Sequence, residues 1–348
     1  MQKIKSIVLL IALIFTACVG KVEPLADDNI IIEASKPQIS VERGESLTIK
    51  VKNWSVDITE QATLYVTFGG EKKLLDTNEF VAPQAGNYTF SAELDGVEVP
   101  QKVIVVAYND SELSNRFFRR HLVMKFTGTW CVNCPGMGDI ITEIEHDRPF
   151  EIVEMAIHSQ DEISVAVGER FITDFSYIFL PTVVVDMHAD DEVTKNSKEL
   201  VSNAISAAYD ANPTVSGVRI NSSIVDEKVE VEVGVIAQAA GDYKIAVALV
   251  ADNYQFKQTG ASSANYKQNK VLKSYATDAY GDKIDGLNVN EEKVLNYTID
   301  MPADLPGECR VIAYVLNETT DGAYRVNNVT ECVVGEEIAY VYELNTEN

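Results

Sequence analysis

Apolar and polar residues alternate with period two through residues 29–108. Leu47, Ile49 and Val51 interleave with Thr48, Lys50 and Lys52, and Leu64, Val66 and Phe68 with Thr63, Tyr65 and Thr67. That period gives strands with one buried and one solvated face. Arg43-Gly44 and Gly69-Gly70 punctuate the runs as turns. Between about 117 and 210 the rhythm changes. Strands are expected at 121–126, 152–157 and 182–186, and helices at 135–146, 163–175 and 197–209, with Gly136 and Gly138 weakening the first helical turn. Alternating strand and helix implies an α/β layer with parallel pairing. Over 213–337 the alternation returns, most cleanly at Val229, Val231, Val233 and Val235 and at Ile245, Val247 and Leu249. The expected chain is multidomain: an α/β unit flanked by two all-β sandwiches. A polar stretch at 109–115 separates the first two units, and 338–348 reads as a loose acidic tail.

The first residues add a location. Lys3 and Lys5 precede nine apolar residues at 7–15. That run is too short to cross a bilayer core, and the layout is that of a signal peptide over 1–17. Thr16-Ala17-Cys18 resembles a bacterial lipobox, which implies that Cys18 is lipidated and begins the mature chain, with 18–28 as its tether. Acyl chains on Cys18 would hold the protein to a membrane by their buried methylenes, without spanning it. Val19, where an Asp would favour inner-membrane retention, points to the outer membrane and leaves the face open. The alternative is a soluble exported protein with an incidental Cys18. The net charge of −24 argues against nucleic acid as a partner and otherwise reads as solubility. In the first segment, Ala85-Gly86-Asn87-Tyr88-Thr89-Phe90 resembles the corner of an immunoglobulin-like sandwich, with Phe90 as the core position.

Five cysteines need an account in an exported chain. Cys18 takes lipid. Cys131 and Cys134, in Trp130-Cys131-Val132-Asn133-Cys134-Pro135, follow a strand and open a helix. That spacing places both sulfurs on the first turn, where free N–H groups and the helix dipole favour a thiolate. Cys131 is then the nucleophile, Cys134 the resolving thiol, and Trp130 a shield and apolar contact. Two other readings stand beside this one. Half of a zinc site would need further ligands, but Cys309 and Cys332 lie far along the chain and the four His form no short-spaced pair. A purely structural disulfide would close a very small loop and return little stability.

Leu180-Pro181-Thr182 precedes a buried strand. Together with the Trp-Cys-x-x-Cys and the strand–helix order, it resembles the thioredoxin fold over 117–210. That resemblance implies a cis Pro181 facing the cysteines; the alternative is an ordinary strand-start proline. Lys125 stands where thioredoxins carry a buried acid that accepts a proton. A cation there helps a thiolate but takes no proton, or else it reaches the surface along its stem. His158 is either a neighbour of the redox site or a strand-end histidine. No cofactor is called for.

In the C-terminal segment, a polar turn at 317–322 separates two apolar runs. Centred between Thr320 and Asp321, the hairpin would put Cys309 directly across from Cys332, at a Cβ separation of about 4.5–5.5 Å. We therefore expect a structural disulfide, unless a bulge shifts the register. The segment 126–135, with Ala251-Asp252-Asn253, Gln258 and 266–273, resembles the Omp28-related outer-membrane lipoproteins of the Bacteroidetes over about 117–335. The family often has an acid at Lys125 and a His at Gln268. The resemblance implies an envelope lipoprotein with a thioredoxin-like domain and no settled substrate. Two main functions compete: a thiol–disulfide oxidoreductase acting on envelope proteins, and a non-catalytic binding or adhesion protein built on the sandwiches. Sugar binding by sandwich loops is a third, by fold analogy only.

Overall fold

The computed structural model describes residues 30–53, 56–177, 179–262, 266–302 and 307–345. The signal peptide, Cys18 and the tether expected over 18–28 lie outside the described residues. Sheets packed as sandwiches dominate, with few helices.

Residues 30–108 form two sheets over one core. Ile30–Ala34, Ser46–Asn53, Val56–Asp57 and Glu79–Val81 make one; Gly86–Leu94, Val103–Tyr108 and Ala62–Phe68 are central to the other. The alternating residues Leu47, Ile49, Val51, Tyr88, Phe90 and Val105 meet between them. Gly69 and Gly70 both take positive φ in the two-residue turn after Ala62–Phe68, a conformation open to glycine and strained for most other residues. Tyr88 is buried, and its hydroxyl donates to the Gln84 carbonyl at 2.8 Å, the backward bond that fixes such a corner.

The next elements are β1 (His121–Thr127), α1 (Cys134–Asp147), β2 (Ile152–His158), α2 (Ala166–Asp174), β3 (Thr182–Val185) and α3 (Lys198–Ala211). β1 pairs parallel with β2 and antiparallel with β3. Because β1 and β2 are buried on both faces, they read as near-continuous apolar runs. Val123 packs with Met137, Ile141 and Ile144 of α1 and with Val201 and Ile205 of α3, while Met124, Phe126, Met155 and Ile157 pack with Phe171 of α2. Ser197 caps α3 by accepting from the Leu200 N–H.

The strands that follow are β4 (Ser216–Val225), β5 (Lys228–Ala237), β6 (Tyr243–Ala251), β7 (Val271–Tyr275), β8 (Glu292–Asp300), β9 (Cys309–Glu318) and β10 (Tyr324–Val333). They do not form a separate unit. β7 pairs parallel with β2, so one sheet runs β3-β1-β2-β7-β6-β9-β10 across the expected boundary at 210–213. Its far half packs on a second sheet of order β8-β5-β4 with Glu337–Ile338, through Ile245, Val247, Leu249 and Val311 against Val218, Val229, Val231 and Val233. Part of the expected tail is paired: Tyr342–Leu344 pairs with Leu113–Phe117, and Tyr342 stacks on Phe117.

The expected bond between Cys309 and Cys332 is absent; both are buried free thiols. The turn pairs Glu318 with Tyr324, and a bulge between Val315 and Leu316 moves the register again, so Cys332 faces Val311. Burial raises Cys309 to about 11 and Cys332 to about 12, which keeps both protonated and unreactive at neutral pH.

Candidate functional site

β1 ends at Thr127, and the chain turns into α1 through Gly128-Thr129-Trp130-Cys131-Val132-Asn133. Cys131 N–H closes that turn on the Gly128 carbonyl at 3.0 Å. Gly128 is required by a close approach: a methyl group there would meet Trp130 Nε1 at 2.8 Å and the Ser159 carbonyl at 3.2 Å. The same indole N–H donates to Ser159 O at 2.9 Å, so the ring is fixed while remaining 49% exposed.

Cys134 opens α1 and is disulfide-bonded to Cys131. Both cysteines are buried, whereas Val132 between them and Phe179 beyond are 62% and 68% exposed. Pro181 is buried, its peptide bond with Leu180 is cis, and Thr182 after it pairs with Phe126 at the same end of the sheet. The covered disulfide thus has exposed apolar Trp130 and Val132 beside it in the loop, and exposed Phe179 lies two residues before Pro181.

The cover comes from the C-terminal half. Gln258 is buried and donates from Nε2 to the Cys131 carbonyl at 2.9 Å and to Gly128 O at 3.2 Å. Its Oε1 accepts from Gln268 Nε2 at 2.6 Å. Thr259 N–H donates to Thr129 O at 2.8 Å. Gly260, at positive φ, lies flat on the Val132 backbone, where any Cβ would overlap the carbonyl. Residues 258–260 therefore strap the cysteine loop. Sequence reasoning singled out Gln258 and Gln268 by resemblance alone and missed this contact, which joins residues some 130 positions apart.

Two buried polar groups flank the site. His158 Nδ1 lies 2.7 Å from Asp161 Oδ2, which also accepts the Thr129 N–H at 2.9 Å. Burial works to raise the Asp161 carboxyl, but His158 and the N–H groups of Thr129 and Ile163 hold it below its ordinary value. His158 thus orders the loop through Asp161. Lys125 does not reach the surface: its Nζ pairs with Glu154 Oε1 at 2.5 Å, with each side chain 10% exposed. Burial disfavours the ammonium, yet Glu154 holds its pKa above the ordinary lysine value. Glu154 was missed. Its signal was a lone charge inside the apolar run of β2, a position where a charge needs a partner. Among the described residues, no group of three or more His, Cys, Asp and Glu side chains is arranged to hold a metal, and no helix is long and apolar enough to cross a membrane.

Comparison with known proteins covers part of this picture. The family model described as outer membrane protein Omp28 matches residues 169–338, from α2 to the end of the second sandwich. The cysteine decapeptide at 126–135 falls outside that span. The match is to an outer-membrane protein family and is consistent with a protein of the cell envelope. Among solved structures, HBP35 of Porphyromonas gingivalis shares 15% identity, with a TM-score of 0.52 over 64% of this chain and 77% of that one. At that identity the likeness is one of fold. A protein from Agrobacterium tumefaciens matches at 12% identity and TM-score 0.41, over 64% of this chain and 97% of its own. A DUF3823 family protein from Bacteroides ovatus matches at 7% identity and TM-score 0.20, over 90% of this chain and 97% of its own. No curated protein matches.

Proposed function

We propose that this chain is an envelope lipoprotein whose Cys131–Cys134 pair exchanges with thiols or disulfides of envelope proteins, from a thioredoxin-like platform formed by β1, β2, β3 and their three helices. The observation that carries the reading is the disulfide at the start of α1, with Trp130 and Val132 exposed beside it in the cysteine loop. The strand arrangement supports it: parallel β1 and β2, antiparallel β3, with α1 and α3 on one face and α2 on the other. Cys18 would carry the lipid.

In the reduced pair, the Cys131 thiolate attacks a partner disulfide. One partner sulfur leaves as thiolate and a mixed disulfide forms at Cys131. Cys134 then loses its proton and attacks Cys131 Sγ. The Cys131–partner bond breaks and the intramolecular disulfide forms, so the protein is oxidised by two electrons and the partner reduced. The reverse sequence oxidises a partner dithiol.

An insulin-reduction assay beside Cys131→Ser tests this: wild-type turnover is expected, with none in the variant. Equal activity in the two would overturn it. A second reading has its own observation. Cys131 and Cys134 are closed under the strap, as in a structural bond on a binding protein. The reduction potential separates the two readings. An exchange disulfide should lie between about −270 and −120 mV, and a structural one below about −300 mV.

A further inference from the structure

We propose that a cavity at the end of β1 away from the cysteines binds a small zwitterion with an apolar side chain, of the class of the free α-amino acids.

The cavity has a volume of about 450 Å³, within the range of small-molecule sites. It opens among the last turns of α3, the loop after α1 and the segment 118–121 that leads into β1. His121 begins the strand that ends at Thr127 beside the cysteine turn, so the two sites lie about 20 Å apart along β1. The apolar lining is the half-buried Phe118, the buried Ile205 and Tyr209, which is 41% exposed.

The polar lining is held from behind by Asp186, which fixes both Arg119 and His121. Asp186 and Met187 take φ of 51° and 62°, a left-handed conformation unusual for two successive residues other than glycine. Strain of this kind concentrates where side chains must be held in place for function. Asp186 occupies His121 Nδ1, which leaves Nε2 as the other polar atom of a ring 6.3 Å from that of Tyr209. Arg119 gives Nη2 to Asp186 and to the Val326 carbonyl, while its buried Nε and Nη1 have no hydrogen-bond partner. A buried N–H without an acceptor is costly, and a ligand carboxylate on this side supplies one. The complementary charge comes from α3. Arg148 pairs with Glu151 at 3.1 Å, and Glu343 with Arg116 at 2.9 Å, so these charges cancel locally. Asp210 also lines the cavity and has no ion-pair partner among the described residues. It lies in the last turn of its helix, where the backbone carbonyls add to the preference for a cation. An unmatched carboxylate and unmatched N–H donors beside an apolar lining fit one ligand that carries an ammonium, a carboxylate and a hydrocarbon side chain. An amine alone leaves Arg119 unanswered, and an acid alone leaves Asp210 unanswered.

Equilibrium dialysis of labelled L-phenylalanine against detergent-solubilised full-length protein tests this, with phenethylamine and 3-phenylpropionate as competitors. Saturable binding of one amino acid per chain is expected. The amine and the acid should each compete about tenfold more weakly than unlabelled phenylalanine, since each lacks one charged hydrogen bond. Asp210→Asn should weaken phenylalanine by about tenfold and leave 3-phenylpropionate unchanged. Ser206→Trp, at an exposed position of α3 that lines the cavity, should fill it and abolish binding. The proposal is overturned if wild-type protein shows no saturable binding, if the amine or the acid competes as well as phenylalanine, or if Ser206→Trp binds like wild type.

Discussion

The Asp186 carboxylate has no exposed surface and answers three donors. Oδ2 accepts from Arg119 Nη2 at 2.7 Å and lies 2.6 Å from His121 Nδ1, and Oδ1 accepts the Leu122 N–H at 2.8 Å. Burial works to raise this carboxyl, but Arg119, His121 and the N–H hold it below its ordinary value. A depressed folded pKa means that the contribution to stability is present above the unfolded value and lost as pH falls through the folded one. Asp186→Asn leaves Arg119 short of its counter-charge and should cost about 3–5 kcal/mol, read as a shift in denaturant midpoint at constant slope. Glu145 has the opposite sign. Burial, then the Glu154 charge, pushes it up to about 8. Its neutral form suits the fold, so its contribution is full below the ordinary value of 4.5 and is lost as pH rises toward about 8. Unfolding midpoints at the two ends of that window should converge in Glu145→Gln; an unchanged pH dependence would refute the assignment. Neither environment was readable from sequence. Asp186 ends a predicted strand, and Glu145 occurs in a helix with other acids. Beyond nearby Glu154, the charges around Glu145 include Lys270, just before β7, and Glu331 of β10, and the backbone that Arg119 contacts is Val326 of β10, all far along the chain.

Elements were more legible than the contacts between them. Period-two runs gave strands where the backbone is half-buried, and the change to helical spacing located α1, α2 and α3 to within a few residues. Hairpin register was not legible. The residue sums that would pair Cys309 with Cys332 assume a symmetric turn and an unbroken ladder, and one shifted turn plus one bulge defeats both. The strap was equally hidden, because 256–262 has no period and reads as loop. Its effect can still be measured at this scale. Gln258→Ala removes the donor to the Cys131 carbonyl, and Gly260→Val forces the segment off the Val132 backbone. Both variants should speed reduction of Cys131–Cys134 by a water-soluble phosphine by about tenfold or more, the equivalent of roughly 1.4 kcal/mol of opening free energy. Equal rates in wild type and both variants would show that the strap does not gate the bond.

At the scale of the whole molecule, the shared sheet decides which parts stand alone. Residues 30–108 close their own core between two sheets and should fold as a fragment. Residues 117–212 should not, although their strand–helix order reads as a complete unit. Cutting there removes β7 and opens the β2 edge. It also breaks the core that runs from Met124 and Met155 through Ala246, Ala248 and Leu272 to Tyr314. An apolar strand buried on both faces would then present an unpaired edge, a template for aggregation. The N-terminal sandwich is joined to this body by charge: Lys52, 2% exposed, pairs with Glu33 of its own sheet and with Glu308, while Arg310 reaches back to Glu33 at 3.1 Å. Far-UV circular dichroism and urea titration of three fragments test the division. Fragments 30–108 and 113–345 should each unfold in one cooperative step, and 117–212 should show none. A cooperative transition in 117–212 would mean that the α/β unit is independent and that its union with β7 is a docking contact. In that case the Cys131–Cys134 site would have to be treated as a module that the sandwich covers without building.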